Sequence, residues 1–311
     1  MRLLVTGAAG FTGTFLAQYL SHKTSVEMTG LIRKTSQKGL LPHTTCVITD
    51  LLDREHLIDA VDDICPDAII HLGGMTRGDL GNLLEANVIG TKNILDAGFA
   101  ANPYCRMLVV SSSAVYGYPG EAPIPESTPL RPLSEYGVSK VAQEALALLH
   151  HTQNGSHVSI ARPFNLAGPG QPESFICGKL VRQVADIGQH KRTSLDLLET
   201  SSSRDLIDVR DVIRGFWTLI SHPDFTGKCS GRAFNLGSGN AYSVTAIIRT
   251  LEEITDQHYP VNLPAEILQP SIPSQKSDNT QITTLTGWRP EIALAETLRD
   301  MLTAAGVKPI V

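Results

Sequence analysis

Tyr136 and Lys140 are the residues whose types and spacing point most directly to chemistry, because a Y-x-x-x-K pattern places both side chains on one face of a helix. An ordinary tyrosine titrates near pKa ~10, which is too high for easy proton exchange at neutral pH. A nearby lysine ammonium favours the phenolate. The pair therefore predicts that Tyr136 exchanges a proton with a substrate oxygen.

A run of hydroxyl side chains precedes this pair in the chain. Ser111, Ser112 and Ser113 follow the apolar run 107–110 and stand at the end of a predicted strand. A serine hydroxyl at that place can hydrogen-bond the reacting oxygen and orient it. A serine run at a strand end is also an ordinary turn, in which Ser112 and Ser113 are interchangeable. We therefore keep Ser113 as a substrate-contact candidate.

Three glycines near the N-terminus predict a phosphate cradle. Gly7, Gly10 and Gly13 follow a predicted strand, and Phe11 and Thr12 lie between the last two glycines, where a helix begins. Glycine permits a tight turn and a close approach of the backbone to a pyrophosphate, while the helix N-terminus supplies unpaired N–H groups. Strand, turn and helix together predict a dinucleotide-binding site to which these five residues contribute.

Arg33 bears on which nicotinamide cofactor is used. In dinucleotide-binding folds an acidic residue about 20 positions beyond the glycines holds the ribose 2′-hydroxyl of NAD. This chain has Arg33 and Lys34 at the corresponding strand end. A carboxylate repels a 2′-phosphate, whereas Arg33 can form charge-assisted hydrogen bonds with it. NADP(H) is therefore favoured, with NAD as the alternative cofactor. The competing interpretation is that Arg33 and Lys34 form only a solvated strand end.

The order of apolar segments predicts the fold class. Short apolar runs alternate with helix-like stretches, which is typical of a parallel, doubly wound α/β sheet. We predict a Rossmann-type sheet with a smaller, mixed C-terminal substrate lobe. The pattern lapses at 168–171 and returns near 205, so the two lobes are expected to interleave. Residues 1–167 plus about 205–238 form the predicted cofactor-binding domain, and residues 168–204 plus 239–311 form the substrate lobe.

The composition favours a cytoplasmic protein whose partners are small molecules. The chain has 311 residues and a formal charge of -5, so no basic field attracts nucleic acid or an anionic membrane. Its five cysteines form no C-x-x-C pair and are interpreted as reduced thiols. No apolar run has the length of a signal peptide or a membrane span.

The ten histidines show no metal-ligand spacing, so we predict no metal. The helix-like stretches 83–99 and 136–149 leave faces that can pair with a second subunit, which predicts a homodimer.

The glycine spacing, the serine run that ends in V-Y-G and the Y-x-x-x-K pair together resemble the extended short-chain dehydrogenase/reductases. Matching the V-Y-G triplet at 115–117 implies that Ser112 is the catalytic serine beside Tyr136 and Lys140, and that Lys140 also contacts the nicotinamide ribose. The resemblance further implies a set of residues around the cofactor, among them an asparagine that steadies the active site. They are Asp50, Leu51, Leu72, Gly73, Asn87 and Pro163.

Later segments resemble the branch of that family that modifies nucleotide sugars. Residues 162–165 (R-P-F-N) and 168–171 (G-P-G-Q) are similar to its R-x-x-N and G-P-G-Q elements, and residues 203–211 are similar to its R-D-F-x-D-V-x-D element. This branch implies a nucleotide-diphosphate sugar as the substrate.

The same resemblance implies individual substrate contacts. Asn165 is expected beside the sugar, and the cations Lys179 and Arg204 are expected to hold the diphosphate. Lys179 is equally well interpreted as an ordinary surface cation. One departure is Gln269, because the family usually has arginine there. A diphosphate contact is therefore missing or relocated.

Three activities share this scaffold. Sugar 4,6-dehydratases usually carry Asp-Glu directly after the catalytic hydroxyl residue, because elimination of water needs an extra acid and base, whereas this chain has Ser113 and Ala114. C4-epimerases hold NAD permanently, and reductases exchange NADPH at each turnover, so Arg33 favours a reductase. The closest resemblance is to reductases that form GDP-rhamnose from GDP-4-keto-6-deoxymannose, which predicts a reductase of an NDP-4-keto-6-deoxyhexose. An NAD-dependent 4-epimerase and a non-catalytic nucleotide-binding regulator stay as alternatives.

Overall fold

The computed structural model describes residues 1–42, 44–266 and 270–310. Gln269, where the sequence departs from the family pattern, lies outside these residues. Within the described ranges, no helix combines the length and the apolar character needed to cross a membrane.

Strands form at the short apolar runs of the sequence, and most of them lead into a helix. Numbered along the chain, the strands are β1 Arg2–Thr6, β2 Glu27–Ile32, β3 Thr45–Ile48, β4 Ala68–His71, β5 Arg106–Val110, β6 His157–Pro163, β7 Asn165–Ala167, β8 Leu195–Asp196, β9 Ser203–Asp208, β10 Ala233–Leu236, β11 Ala241–Ser243, β12 Val261–Asn262 and β13 Ser274–Gln275. The helices are α1 Phe11–Leu20, α2 Arg54–Ile64, α3 Leu80–Leu84, α4 Gly90–Ala101, α5 Glu135–Asn154, α6 Ile176–Gly188, α7 Val209–Ile220, α8 Phe225–Lys228, α9 Val244–Thr255, α10 Thr280–Thr286 and α11 Leu294–Ala304.

Strands β1 to β6 and β10 form one parallel sheet of seven strands, in the order β10-β6-β5-β4-β1-β2-β3. Its central strands are buried almost throughout, as expected for unbroken apolar runs in a sheet covered on both faces. The strand order reverses between β1 and β4, and in such sheets ligands bind outside the carboxyl ends of the strands at this point. The chain leaves β1, β4 and β5 there through Gly7, Leu72 and Ser111. The predicted Rossmann-type fold is confirmed.

A smaller mixed sheet is built on β9, which pairs in parallel with β7 and β13 and antiparallel with β11. Helices α6, α9 and α11 share a separate apolar cluster beside it. The return to the large sheet therefore begins with α7, whose apolar face packs against β1 and α1, and not at residue 205 as the sequence indicated. The run Leu206–Val209 is buried in either arrangement, so its apolar character did not distinguish the two sheets. The division into two interleaved lobes stays a prediction.

Candidate active site

The glycine turn after β1 has the geometry of a phosphate cradle. Gly7 has φ +66°, and a Cβ atom there would lie 2.8 Å from the backbone nitrogen of Gly73. The N–H of Gly10 donates to the carbonyl of Gly7 at 2.9 Å, which closes the turn at the N-terminus of α1. A Cβ atom on Gly13 would collide with the carbonyl of Ala8. Glycine is therefore required where strand, loop and helix meet, and the first turn of α1 carries no acidic residue to repel an anion.

One cavity lies beside this turn at the carboxyl ends of β1, β2 and β4, and we call it the cofactor cleft. Many of the residues predicted to bind the cofactor line it, namely Gly7, Gly10, Arg33, Asp50, Leu51, Leu72 and Gly73. The side chain of Asp50 accepts from the N–H of Leu52 at 2.9 Å, so this carboxylate shapes the loop after β3. The cleft thus brings together four segments that are distant in sequence.

The backbone that carries Arg33 is held by a residue that the sequence analysis missed. Gln37 also lines the cofactor cleft, and its Oε1 atom accepts from the N–H groups of Arg33 at 2.9 Å and Lys34 at 3.0 Å. Arg33 lines the cleft with an exposed side chain. Gln37 follows Arg33 by four positions, and this short spacing is the feature of the sequence that could have predicted a bond from its side chain to the backbone.

A second cavity, the reaction pocket, adjoins the cofactor cleft and shares Gly7, Gly10, Leu72, Gly74 and Met75 with it. It contains the predicted catalytic and substrate-side residues and the rest of the glycine segment. Those that line it are Phe11, Thr12, Gly13, Ser112, Ser113, Tyr136, Lys140, Pro163, Asn165 and Arg204. The two cavities therefore adjoin along the glycine turn.

Tyr136 lies in the first turn of α5, whose N-terminus is capped by the hydroxyl of Ser134 accepting from the N–H of Gly137 at 3.0 Å. Burial raises the pKa of Tyr136 to about 12, and a hydrogen bond with Ser112 opposes this rise. The net shift is therefore opposite to the phenolate that the sequence predicted from the neighbouring Lys140. Desolvation of the phenol outweighs the hydrogen bond with Ser112, so the hydroxyl is held protonated.

Lys140 is buried one turn further along α5, and its Nζ atom lies 5.9 Å from the centre of the Tyr136 ring. The ammonium donates to the carbonyl of Val110 at 2.8 Å and to Oε1 of Gln143 at 2.7 Å. Burial lowers the pKa of Lys140 to about 8, an effect opposed by the charge of Glu144. The ammonium is thus held near the end of β5 by two neutral oxygens.

The structure distinguishes the two serines that the sequence left interchangeable. The hydroxyl of Ser112 accepts from the N–H of Ala114 at 3.2 Å and stands next to the phenol of Tyr136. The hydroxyl of Ser113 instead donates to Oε1 of Gln275 at 3.1 Å. The Nε2 atom of Gln275 returns hydrogen bonds to the carbonyls of Ser113 at 3.1 Å and Gly117 at 3.2 Å. Ser112 is therefore the serine placed for proton chemistry, and Ser113 joins the loop to β13.

Asn87 and Asn165 differ in how they relate to the cavities. Asn87 is fully buried, and its amide bonds both the N–H and the carbonyl of Met75 and the hydroxyl of Ser139. It lies behind the wall of the cavities rather than in it, which fits a steadying role better than a contact with the cofactor. Asn165 lines the reaction pocket, and its Nδ2 atom donates to the carbonyl of Asp205 at 3.3 Å.

Two arginines present positive charge to the reaction pocket. Arg204 is partly buried, its Nη1 atom donates to the carbonyl of Ser203 at 2.9 Å, and burial lowers its pKa. In the described part of the chain, Arg204 forms no ion pair. Arg77, which the sequence analysis missed, also lines the pocket and donates to the carbonyl of Ser174 at 2.7 Å. Lys179 is half-buried on α6 and does not line the pocket, so its contact with a diphosphate stays a prediction.

The two cavities fit a nicotinamide dinucleotide. Each has a buried hydroxyl oxygen, that of Thr49 in the cleft and that of Ser111 in the pocket, without a hydrogen-bond partner among the described residues. Such orphaned groups cost stability unless a ligand or water satisfies them. The glycine cradle lies between them. For the described ranges, no three His, Cys, Asp or Glu side chains are grouped as metal ligands.

Comparison with known proteins agrees with this geometry. Residues 4–301 match the family described as GDP-mannose 4,6 dehydratase. The chain is 33% identical to the GDP-6-deoxy-D-mannose reductase of Pseudomonas aeruginosa PAO1 over 97% of this chain and 96% of that protein. It is 29% identical to the UDP-glucose 4-epimerase of Halalkalibacterium halodurans, covering 96% of this chain and 93% of that one.

A solved structure matches over almost the whole chain. RMD from Pseudomonas aeruginosa complexed with NADPH superposes with a TM-score of 0.85 at 32% identity, covering 98% of each chain. Together with the family match, this similarity identifies the chain as a member of the GDP-mannose 4,6 dehydratase family of NAD(P)-dependent, extended short-chain dehydrogenase/reductases.

Proposed function

We propose that the protein is an NADPH-dependent reductase of a nucleotide-diphosphate 4-keto-6-deoxyhexose, with GDP-4-keto-6-deoxymannose as the favoured substrate and GDP-rhamnose as the product. One observation carries the proposal: Ser112 and a protonated Tyr136 stand together in a pocket that adjoins the cofactor cleft along the glycine turn. The similarity to a GDP-6-deoxy-D-mannose reductase supports the choice of sugar.

Ser112, Tyr136 and Lys140 each have a separate role in the proposed reduction. When bound, the cofactor supplies hydride to C4 of the sugar. The hydroxyl of Ser112 orients the C4 oxygen, and the buried phenol of Tyr136, held protonated, donates its proton to that oxygen. Lys140 keeps a positive charge near the end of β5, where the resemblance places the nicotinamide ribose.

The same site is poorly equipped for dehydration, although the family is named after a dehydratase. Removal of water from the sugar needs an additional acid and base beside the reacting hydroxyls. Ala114 has no ionisable group, and the hydroxyl of Ser113 is already donated to Gln275. The pocket thus has the groups for hydride and proton transfer to a ketone without those for elimination.

The preference for NADP(H) over NAD is inferred from Arg33, the residue that follows strand β2. Arg33 lies in the wall of the cofactor cleft, and Gln37 fixes the backbone beneath it. A guanidinium there favours the 2′-phosphate of NADP(H), while NAD stays the alternative because MoeE5, a solved structure 26% identical to this chain, is complexed with NAD. The NADPH-bound relative supports the first choice.

For the diphosphate we propose Arg204 as the main contact, with Lys179 as the second predicted cation. Arg204 offers guanidinium donors inside the pocket and forms no ion pair among the described residues, while the charge of Glu199 acts on it from a greater distance. An arginine binds a diphosphate through paired charge-assisted hydrogen bonds. Arg77 also lines the pocket and is the further candidate.

A 4-epimerase is the second candidate function, because epimerases are among the relatives and Ser111 to Gly117 fits both activities. An epimerase takes the proton of the sugar 4-hydroxyl and later returns it, and the same tyrosine can serve both steps. Arg33 in the wall of the cofactor cleft favours an exchangeable NADPH and therefore the reductase. Mixing the enzyme with NADPH and a GDP- or dTDP-4-keto-6-deoxy sugar separates the two functions. A reductase oxidises NADPH stoichiometrically with the 4-keto sugar, whereas an epimerase leaves NADPH unconsumed. An epimerase instead carries tightly bound NAD and interconverts C4 epimers when it is given a nucleotide sugar with a C4 hydroxyl.

We also propose a cytoplasmic homodimer. Ile89, Val138 and Leu149 are apolar residues that expose 48%, 43% and 47% of their surface on the helical stretches expected to face a second subunit. All five cysteines are free thiols, as in a reducing compartment. Light scattering is expected to give twice the chain mass, and Val138→Glu is expected to reduce it towards the single-chain value.

A further inference from the structure

Lys140 is the first member of a buried chain of hydrogen bonds that runs away from the substrate side. Its Nζ atom donates to Oε1 of Gln143 at 2.7 Å, and Nε2 of Gln143 donates to the hydroxyl of Thr91 at 2.7 Å. Gln143 and Thr91 are completely buried. The side chain of Gln143 therefore joins α5 to α4 directly behind the lysine.

The chain continues through His71 to the cofactor cleft. Thr91 bonds Nε2 of His71 at 2.9 Å, and Nδ1 of His71 bonds the hydroxyl of Thr6 at 2.7 Å. That hydroxyl accepts from the N–H of Gly73 at 2.9 Å. Thr6 and Gly73 both line the cofactor cleft. A continuous set of hydrogen bonds thus connects the lysine to the loop that follows β4.

The position of each proton in this chain follows from the bonds themselves. Thr91 donates its single hydroxyl proton to the carbonyl of Asn87 at 2.6 Å, so it must accept from both Gln143 and His71. His71 therefore carries its proton on Nε2 and accepts from Thr6 on Nδ1. Burial lowers the pKa of His71 to about 3, which keeps the ring neutral with that single proton.

These directions also fix the amide of Gln143. A flipped amide would present its NH₂ group to the ammonium and its oxygen to Thr91, which has no proton left to donate. The oxygen of Gln143 must therefore face Lys140. A neutral acceptor in a buried site stabilises the charged form of the lysine without neutralising it.

We propose that Gln143 is a positioning residue of the reaction: it holds the ammonium of Lys140 in place and ties that position, through Thr91, His71 and Thr6, to the cofactor loop at Gly73. The inference rests on the proposed function, because it assigns Gln143 a part in the chemistry that uses Lys140.

The charged and titratable groups around Lys140 are few. On α5, Tyr136 is neutral and Glu144 forms a buried ion pair with Arg162 of β6. From β4, His71 is neutral, and β5 contributes the carbonyl of Val110. A carboxylate at position 143 would therefore be the nearest opposite charge to the lysine.

The test is a direct titration of Lys140 in the full-length chain, using ¹³C-labelled lysine and assigning the signal by its loss in Lys140→Met. The wild type is expected to titrate near the value of about 8. Gln143→Glu is expected to raise this pKa by about 1 unit or more, since an opposite charge in contact favours the ammonium. Gln143→Met is expected to lower it, because the acceptor is lost, and Thr91→Val is expected to change it in the same direction.

Gln183 provides a matched control. It is a buried glutamine of the small lobe that bonds the backbone of Asp196 at both ends of its amide. Gln183→Met is expected to leave the titration of Lys140 unchanged. If Gln143→Glu does not fold, Gln143→Met and Thr91→Val decide the question. Folded variants that titrate as the wild type does would overturn the proposal.

Kinetics separates this inference from the proposed function. In the reductase assay, the alkaline limb of kcat/KM is expected to move with the pKa of Lys140 in each variant. Wild-type protein that oxidises no NADPH would contradict the reductase, while the NMR titration would still decide whether Gln143 holds the lysine. An alkaline limb that stays fixed while the titration moves would show that Gln143 positions Lys140 without a part in the reaction, and would overturn the proposal.

Discussion

The phenol of Tyr136 and the ammonium of Lys140 share one face of α5, yet the Nζ atom lies 5.9 Å from the centre of the ring and bonds Val110 and Gln143. The pKa of the tyrosine is raised to about 12 and that of the lysine is lowered to about 8, in both cases mainly by burial. In the free protein the neutral acid and the charged lysine therefore coexist below pH 8.

This separation predicts the pH dependence of the reductase. Between pH 6 and 10 Tyr136 keeps its proton, because its pKa is about 12. Lys140 loses its charge as the pH rises through about 8. We expect kcat/KM for the sugar to fall with a midpoint near that pH. A profile that is flat up to pH 10 would contradict the assignment of Lys140.

The same shift predicts a change of stability with pH. Lys140 titrates at about 8 in the folded protein, below its ordinary value of 10.5, so the unfolded chain binds more protons between these values and stability rises with pH in that window. Relative to Lys140→Met, the wild type is expected to gain about 2 kcal/mol between pH 7 and pH 9.5. Urea unfolding of both proteins at the two pH values measures it, and a constant difference would refute the shifted pKa.

Arg33 and Lys34 form a matched pair for testing cofactor choice. Arg33 lines the cofactor cleft, whereas Lys34, its neighbour in the chain, does not. Arg33→Ala is expected to raise KM for NADPH about 10- to 100-fold, since hydrogen bonds between charged groups contribute about 1.5–3 kcal/mol. KM for NADH is expected to change little, and Lys34→Ala serves as the control. Equal losses with both cofactors would show that Arg33 does not contact the 2′-phosphate.

Replacement by alanine is predicted to lower kcat at Ser112 and to lower stability at Ser113. Ser112→Ala removes a hydrogen bond to the reacting oxygen and is expected to lower kcat about 100- to 1000-fold with little change in stability. Ser113→Ala leaves Oε1 of Gln275 without its donor and is expected to cost about 1–3 kcal/mol of stability, with a smaller effect on kcat. Steady-state kinetics and thermal unfolding distinguish them. A larger loss of kcat in Ser113→Ala than in Ser112→Ala would show that Ser113, and not Ser112, bonds the reacting oxygen.

The sequence was sufficient for those parts of the site that depend on local pattern. The glycine turn and the Tyr136–Lys140 pair lie at the end of a strand and in one helical turn, where spacing alone determines the geometry. The fold class followed from alternating apolar runs for the same reason. Each of these predictions needed only neighbours in the chain.

Other parts depend on tertiary contacts that no local pattern encodes. Gln275 reaches Ser113 across 162 positions of sequence, and Arg77 bonds Ser174 across 97. The pKa of Tyr136 was predicted in the wrong direction because spacing reveals the neighbouring lysine but not the depth of burial. Strand β9 was likewise placed in the wrong sheet, since a short apolar run is compatible with either.

The most direct test of the central claim uses NADPH that carries deuterium at both hydrogen positions of C4 of the nicotinamide, incubated with GDP-4-keto-6-deoxymannose and the enzyme. The account predicts that deuterium appears at C4 of the sugar, in an amount equal to the NADPH oxidised, and that Tyr136→Phe binds NADPH but transfers almost none. A sugar product without deuterium at C4, or full transfer by Tyr136→Phe, would contradict it.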